Sequence, residues 1–134
     1  MKYSLDTNTC IRIINGRSPE VRAKLITVNP DDIIVCSVVR SELWYGAQKS
    51  QTPVRNRQKQ DLFLKQFKSL PFDTYAAEQY AVIRADLERK GTPIGAMDML
   101  IGAIAKAYDL ILITHNLREF QRIPNLKLEN WQQN

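Results

Sequence analysis

The sequence predicts an α/β fold: one mainly parallel sheet of four to five strands, flanked by helices. Three observations carry this. Short apolar runs at 2–5, 33–36 and 110–114 lack alternation, as expected of parallel strands covered on both faces. Helical patterns with recognisable starts and stops separate those runs. The 134 residues, 44% hydrophobic and 25% charged, suit one domain over 1–134 with a core of its own.

In chain order, residues 2–5 read as a buried strand that stops at Asp6. Thr7 or Asn8 is expected to cap a short helix through Asn15, closed by Gly16. Ser18, Pro19 and Glu20 supply a cap, a proline at the first helical position and a first-turn acid, so a helix runs from there to about Val28. Residues 29–32 form a turn, and 33–36 a second strand. Ser37 is expected to cap a helix carrying Val39, Leu43 and Ala47 at spacings of four, with Glu42 beside that stripe. Thr52 and Pro53 start another helix to about Ser69, followed by an extended piece at 70–72. Asp73 caps a long helix whose Ala76, Tyr80, Ile83 and Leu87 form one face, and Gly91 closes it. After a rigid loop at 92–95, a helix from about Ala96 to Ala107 is expected to turn Met97, Ile101, Ile104 and Tyr108 to the core. Residues 110–114 are a strand, Asn116 caps a brief helical turn through Phe120, and 126–129 form an edge strand.

The net charge of +5 and a pI near 9.4 are compatible with polyanion binding. Lys49, Arg55, Arg57, Lys59, Lys65 and Lys68 crowd one stretch, either as a solvated helix face or as a surface that tracks phosphates. No aromatic–basic pattern marks a single-strand stacking platform. No apolar run approaches the ~18 residues of a membrane span, and no signal-peptide pattern follows Lys2, so a cytoplasmic protein is expected. Cys10 and Cys36 fit no ligand spacing and read as buried free thiols. His115, the single histidine, reads as exposed or structural. Asp86 and Glu88 are expected to pair with Arg84 and Arg89 on a helix surface.

Four polar positions share a context. Asp6 ends the first strand, Glu42 lies in the helix entered from the second, Asp98 opens the helix before 110–114, and Asn116 follows that strand. Right-handed crossovers bring strand ends to one sheet edge, where ligands of α/β sheets bind. Two carboxylates ~4 Å apart repel by about 4 kcal/mol at an effective dielectric near 20, so the cluster needs a cation or a shared proton. Hard oxygen donors suit Mg²⁺ or Mn²⁺, and such an ion serves phosphodiester hydrolysis. Plainer readings stand beside this one: Asp6 and Asn116 as helix caps, Glu42 as a solvated helix residue, Asp98 as a partner of its helix dipole. Against the last, Asp98 is the lone acid in the apolar run 95–105.

The chain resembles the PIN-domain ribonucleases, and within them the VapC toxins of bacterial toxin–antitoxin pairs. The likeness rests on Leu5-Asp6-Thr7-Asn8, on Ser41-Glu42-Leu43-Trp44-Tyr45-Gly46-Ala47, on Pro93-Ile94-Gly95-Ala96-Met97-Asp98 and on Ile113-Thr114-His115-Asn116-Leu117-Arg118-Glu119-Phe120, in that order along nearly the whole chain. It implies a PIN-like fold and an endoribonuclease dependent on Mg²⁺, with Mn²⁺ an alternative. Asp6, Glu42 and Asp98 match the family's acidic triad, Asp6 and Asp98 as direct metal ligands. The fourth position, often Asp, is Asn116 here, with Glu119 or Asn8 as a substitute in an outer shell or at a second ion. The resemblance also implies a homodimer, a VapB-type antitoxin that blocks the site, and initiator tRNA, cut in its anticodon region, as substrate. Lys49, Arg55, Arg57 and Arg118 are the basic residues expected to hold flanking phosphates. Three rivals remain: a phosphatase with Asp6 as nucleophile, suggested by Asp6-Thr7-Asn8-Thr9; a signalling receiver domain, which needs an acidic pair after strand one and an Asp ending the third strand; and a catalytically silent PIN-like module.

Overall fold

Tyr3–Leu5 (β1), Ile33–Ile34 (β2), Ile111–Ile113 (β3) and Leu128–Glu129 (β4) form one sheet in the order β2-β1-β3-β4. Every pairing is parallel: Tyr3 faces Ile33 on one side and Ile111 on the other, and Leu112 faces Leu128. The computed structural model describes residues 2–132; Met1, Gln133 and Asn134, which the expected domain includes, lie outside them. The helices are Thr7–Ile14 (α1), Pro19–Leu25 (α2), Ser37–Gln48 (α3), Pro53–Leu64 (α4), Thr74–Arg89 (α5), Ala96–Ala107 (α6) and Leu117–Phe120 (α7). The sheet is fully covered: Leu5, Ile33, Leu112 and Ile113 are at most 1% exposed, which is why these runs are continuously apolar.

Several boundaries move for physical reasons. Asp6, rather than Thr7 or Asn8, caps α1, its Oδ1 accepting from Thr9 N at 2.9 Å. The α2 helix stops at Leu25 instead of Val28, and tighter bonds from Thr27 N to Lys24 O and Val28 N to Leu25 O end it. Cys36, not Ser37, holds the cap position of α3; Ser37 is the first helical residue and its N–H donates to Leu70 O at 2.9 Å. The α4 helix ends at Leu64 rather than near Ser69, because the chain beyond it pairs with the strand β2: Val35 N donates to Lys68 O at 3.0 Å, and Ile34 bridges Lys68 in parallel.

The α6 helix spans the expected residues and turns Ile101 and Ile104 to the core as expected, but not Met97 and Tyr108. Met97 is 47% and Tyr108 36% exposed, whereas Met99, Ile101, Gly102, Ala103, Ile104 and Ala105 are buried. A helix apolar around most of its circumference has no single stripe, so spacing alone does not orient it. Its small residues decide. A Cβ on Gly102 would come within 2.7 Å of Ile123 Cδ1, so the helix sits flush against the chain after α7. On its other side α6 packs along α5, whose Ala76, Ile83 and Leu87 are buried as the periodicity requires. Asp73 caps α5, accepting from Ala76 N at 3.0 Å.

Cys10 and Cys36 are buried and free, and burial pushes both thiols above their ordinary range. On α5, Arg84 pairs with Glu88 as expected, while Asp86 is paired by Lys90 and not by Arg89.

Candidate active site

The carboxyl ends of the parallel strands share one edge, and the acids gather there. Asp6 is only 5% exposed. Its backbone N–H donates to Ile113 O at 3.1 Å, and its Oδ1 takes the Thr9 amide. Both the strand pairing and the helix start therefore fix one residue. The capping role and the site role coexist, because a carboxylate carries a second oxygen that the cap leaves over.

Glu42 stands on α3, one residue before the buried Leu43, and is half-buried. The Thr7 hydroxyl, in the first turn of α1, donates to Glu42 Oε1. This bond orients the side chain across a sequence separation of 35 residues. Asp98 lies in the first turn of α6. Its carboxyl is pushed up to about 6, first by burial, then by the negative charges of Glu119, Glu42 and Asp6, and by a hydrogen bond with Glu119. That ordering places the four acids in one electrostatic neighbourhood. Among the described residues, no ion pair reaches any of them.

Asn116 occupies the cap position of α7 but makes no side-chain cap bond; its own N–H donates to Thr114 Oγ1 at 2.9 Å. It shares a cavity of about 340 Å³ with Asp6, Asn8 and the exposed His115. Glu119, on α7, is the acid whose charge weighs most on Asp98. The two candidates for the fourth position thus take different places: Glu119 against Asp98, Asn116 against Asp6.

The arrangement is that of a cation site in donor chemistry, all oxygen and net negative. Among the described residues, no three His, Cys, Asp or Glu side chains are arranged so that they could together hold a metal ion. The observation that bears on a divalent ion is the raised Asp98 carboxyl, pushed up first by burial and then by the neighbouring charges of Glu119, Glu42 and Asp6.

The expected basic residues spread out. Lys49 Nζ lies 4.9 Å from the centre of the Tyr45 ring. Arg57 stacks 4.0 Å from the Trp44 ring centre and pairs with Asp61 at 3.0 Å. Arg55 is exposed on α4, and Arg118 is exposed on α7 between Asn116 and Glu119. Sequence reasoning missed Arg12 and Arg17, which line the cavity beside Asp6. The spacing of Asn8 and Arg12, i to i+4 on one helix, was the available signal. It also missed Thr7 as the group that orients Glu42.

A parallel α/β sheet with one buried and three half-buried carboxylates, from four separate segments, at its strand ends defines a nuclease-like PIN domain. The chain belongs to that family: the sequence model of the PIN domain matches residues 3–126. Within the family its relatives are VapC ribonucleases. It is 40% identical over 131 residues to the tRNA(fMet)-specific endonuclease VapC of Salmonella typhimurium, with 98% of each chain covered. It is 39% identical over 132 residues to ribonuclease VapC2 of Rickettsia felis, again covering 98% of each. Among solved structures, VapBC2 from Rickettsia felis bound to a promoter DNA fragment superposes with a TM-score of 0.93 at 38% identity, covering 98% of this chain and 100% of that one. DNA-bound VapBC from Salmonella typhimurium gives 0.92 at 40% identity, with 98% of each covered. The rival readings lose ground on the same observations. Thr114, 1% exposed, follows the third strand where a receiver domain needs Asp, and the named relatives are ribonucleases, not phosphatases.

Proposed function

We propose that this protein is the toxin of a toxin–antitoxin pair, a Mg²⁺-dependent endoribonuclease that hydrolyses phosphodiester bonds in RNA, with initiator tRNA as substrate. Mn²⁺ is the alternative ion. The observation that carries the reading is the Asp98 carboxyl, pushed up to about 6 by burial and by Glu119, Glu42 and Asp6. The full-length relatives named as VapC ribonucleases support the RNA substrate, and the VapBC complexes support an antitoxin partner.

When bound, the divalent ion supplies Lewis-acid stabilisation of phosphate charge and activation of water. Asp6 and Asp98 would hold it, one from the end of β1 and one from the first turn of α6. Glu42, held by the Thr7 hydroxyl, accepts hydrogen bonds from water at the edge of the site. Glu119 adds its negative charge beside Asp98, so it strengthens the pull of the site on a cation. The Asn116 amide, uncommitted to its helix cap, donates to a phosphate oxygen.

The test is incubation of the purified protein with tRNA(fMet), with and without Mg²⁺, beside Asp6→Asn and Asp98→Asn. Cleavage that needs Mg²⁺ and disappears in both variants is expected. Equal cleavage by parent and variants would mean that the activity arises elsewhere.

A further inference from the structure

Arg12 and Arg17 stand five residues apart, yet the end of α1 folds them together. Asn15 holds the cap position and Gly16 follows at φ +66. Gly16 N donates to Ile13 O at 3.1 Å and Arg17 N to Arg12 O at 3.0 Å. This is the paired-bond helix stop that needs a left-handed residue, here glycine. It turns the chain back so that residue 17 lies over residue 12. Arg12 is then anchored, its Nη1 donating at 3.3 Å to the hydroxyl of Ser18, which is 3% exposed.

Arg12 and Arg17 both line the cavity of about 340 Å³ whose wall also includes Asp6, Asn8, His115 and Asn116. Among the described residues, neither pairs with a carboxylate. Asp6 is the single acid in the cavity wall, and one of its oxygens already serves the Thr9 amide. The rest of the polar wall is amide, imidazole and guanidinium, all able to donate. Arg12 alone has a plain explanation, a cation in the last turn of its helix. Arg17 lies beyond the helix and has none. An anion that approaches the carboxylates from this side meets donors on most of its surface.

We propose that this cavity is a phosphate subsite, in which Arg12 and Arg17 hold the non-bridging oxygens of a nucleotide next to the bond that is cut. The proposal rests on the ribonuclease reading above. Planar guanidinium forks suit such two-oxygen contacts. It assigns the role to a pair that shares a cavity with Asp6, whereas in the basic run on α4 Lys59 lines a separate cavity with Glu42 and Arg57 is already engaged by Asp61.

The test measures binding of labelled tRNA(fMet) to the full-length protein in EDTA across a salt series, then cleavage in Mg²⁺. Arg17→Gln is expected to weaken binding about fivefold and to lower the log–log salt slope by about 0.7 to 0.9. Arg12→Gln/Arg17→Gln is expected to weaken it about 30-fold and to raise KM far more than it lowers kcat. Arg17→Lys keeps the slope and loses part of the affinity. Arg84→Gln/Lys90→Gln, on α5, removes equal charge and stays within about twofold of the parent. Arg17 is exposed, so its variants fold even if Arg12→Gln does not. Parental affinity and slope in Arg17→Gln, or a loss no larger than that of the α5 variant, overturns the proposal while cleavage by the parent stands. A parent that cleaves no tRNA(fMet) in Mg²⁺ fails the ribonuclease reading itself, and the subsite with it.

Discussion

The hydroxyl of Thr7 donates to the carboxylate of Glu42, so the first turn of α1 sets the orientation of an acid on α3. Thr7→Val keeps the shape and removes the donor. A drop of about tenfold in kcat/KM is expected, the size usual for residues that orient a site's ligands. Thr7→Ser should restore most of it. Steady-state cleavage with a thermal melt of each variant checks this, and a melt unchanged within a degree or so separates orientation from folding.

Asp98 makes stability depend on pH with a definite sign. Its carboxyl titrates near 6 when folded, against an ordinary 3.8. The folded protein therefore binds the proton more tightly than the unfolded chain. The stability this contributes is complete below about pH 3.8 and is lost as pH rises through about 6. At this half-exposed position solvent screening reduces the effect to on the order of 1 kcal/mol. In EDTA at pH 8, Asp98→Asn should be more stable than the parent by about that amount, and the advantage should vanish near pH 4. Urea titrations at the two pH values measure it.

Addition of a divalent ion should reverse that order. An ion that binds only the folded state stabilises by RT ln(1 + [L]/Kd), about 2.7 kcal/mol at a hundredfold excess over Kd. The melting temperature of the parent should rise with Mn²⁺, and those of Asp6→Asn and Asp98→Asn should not. Affinity should fall below about pH 6, where the raised Asp98 carboxyl holds its proton. Calorimetric Mn²⁺ titrations at pH 5 and pH 7.5 test both statements.

Arg40 makes a stability prediction away from the site. Its Nε donates to Val35 O at 2.8 Å and its Nη2 to Phe67 O at 3.1 Å, which staples the end of β2 to the segment after α4. Arg40→Met leaves both carbonyls without that partner and should cost about 2 kcal/mol. Arg40→Lys, with no planar fork, should recover less than half. The urea midpoint reads the difference.

Much of this was legible in residue order because the signals were local. The bounds of α6, the Asp73 cap and the three apolar strand runs follow from caps, glycines and uninterrupted apolar stretches. What escaped reading depends on partners distant in the chain. Ser37 is not a cap because Leu70 O already takes its amide, and α4 ends early because Lys68 joins the sheet. At the site, Asp6, Glu42 and Asp98 were found as acids in revealing contexts, and the structure gathers them with Glu119. Thr7 and Arg17 were missed, since neither residue type nor spacing announces a contact made across a helix stop or between two helices.

One of the two sheet partners of the strand that carries Asp6, β3, begins 108 residues after it. Asp6 N reaches its acceptor on Ile113 only when that late strand has docked. The carboxylate that ends β1 is therefore aimed by a strand far along the chain, and loosening β3 alone would leave Asp6 chemically intact but without its framework.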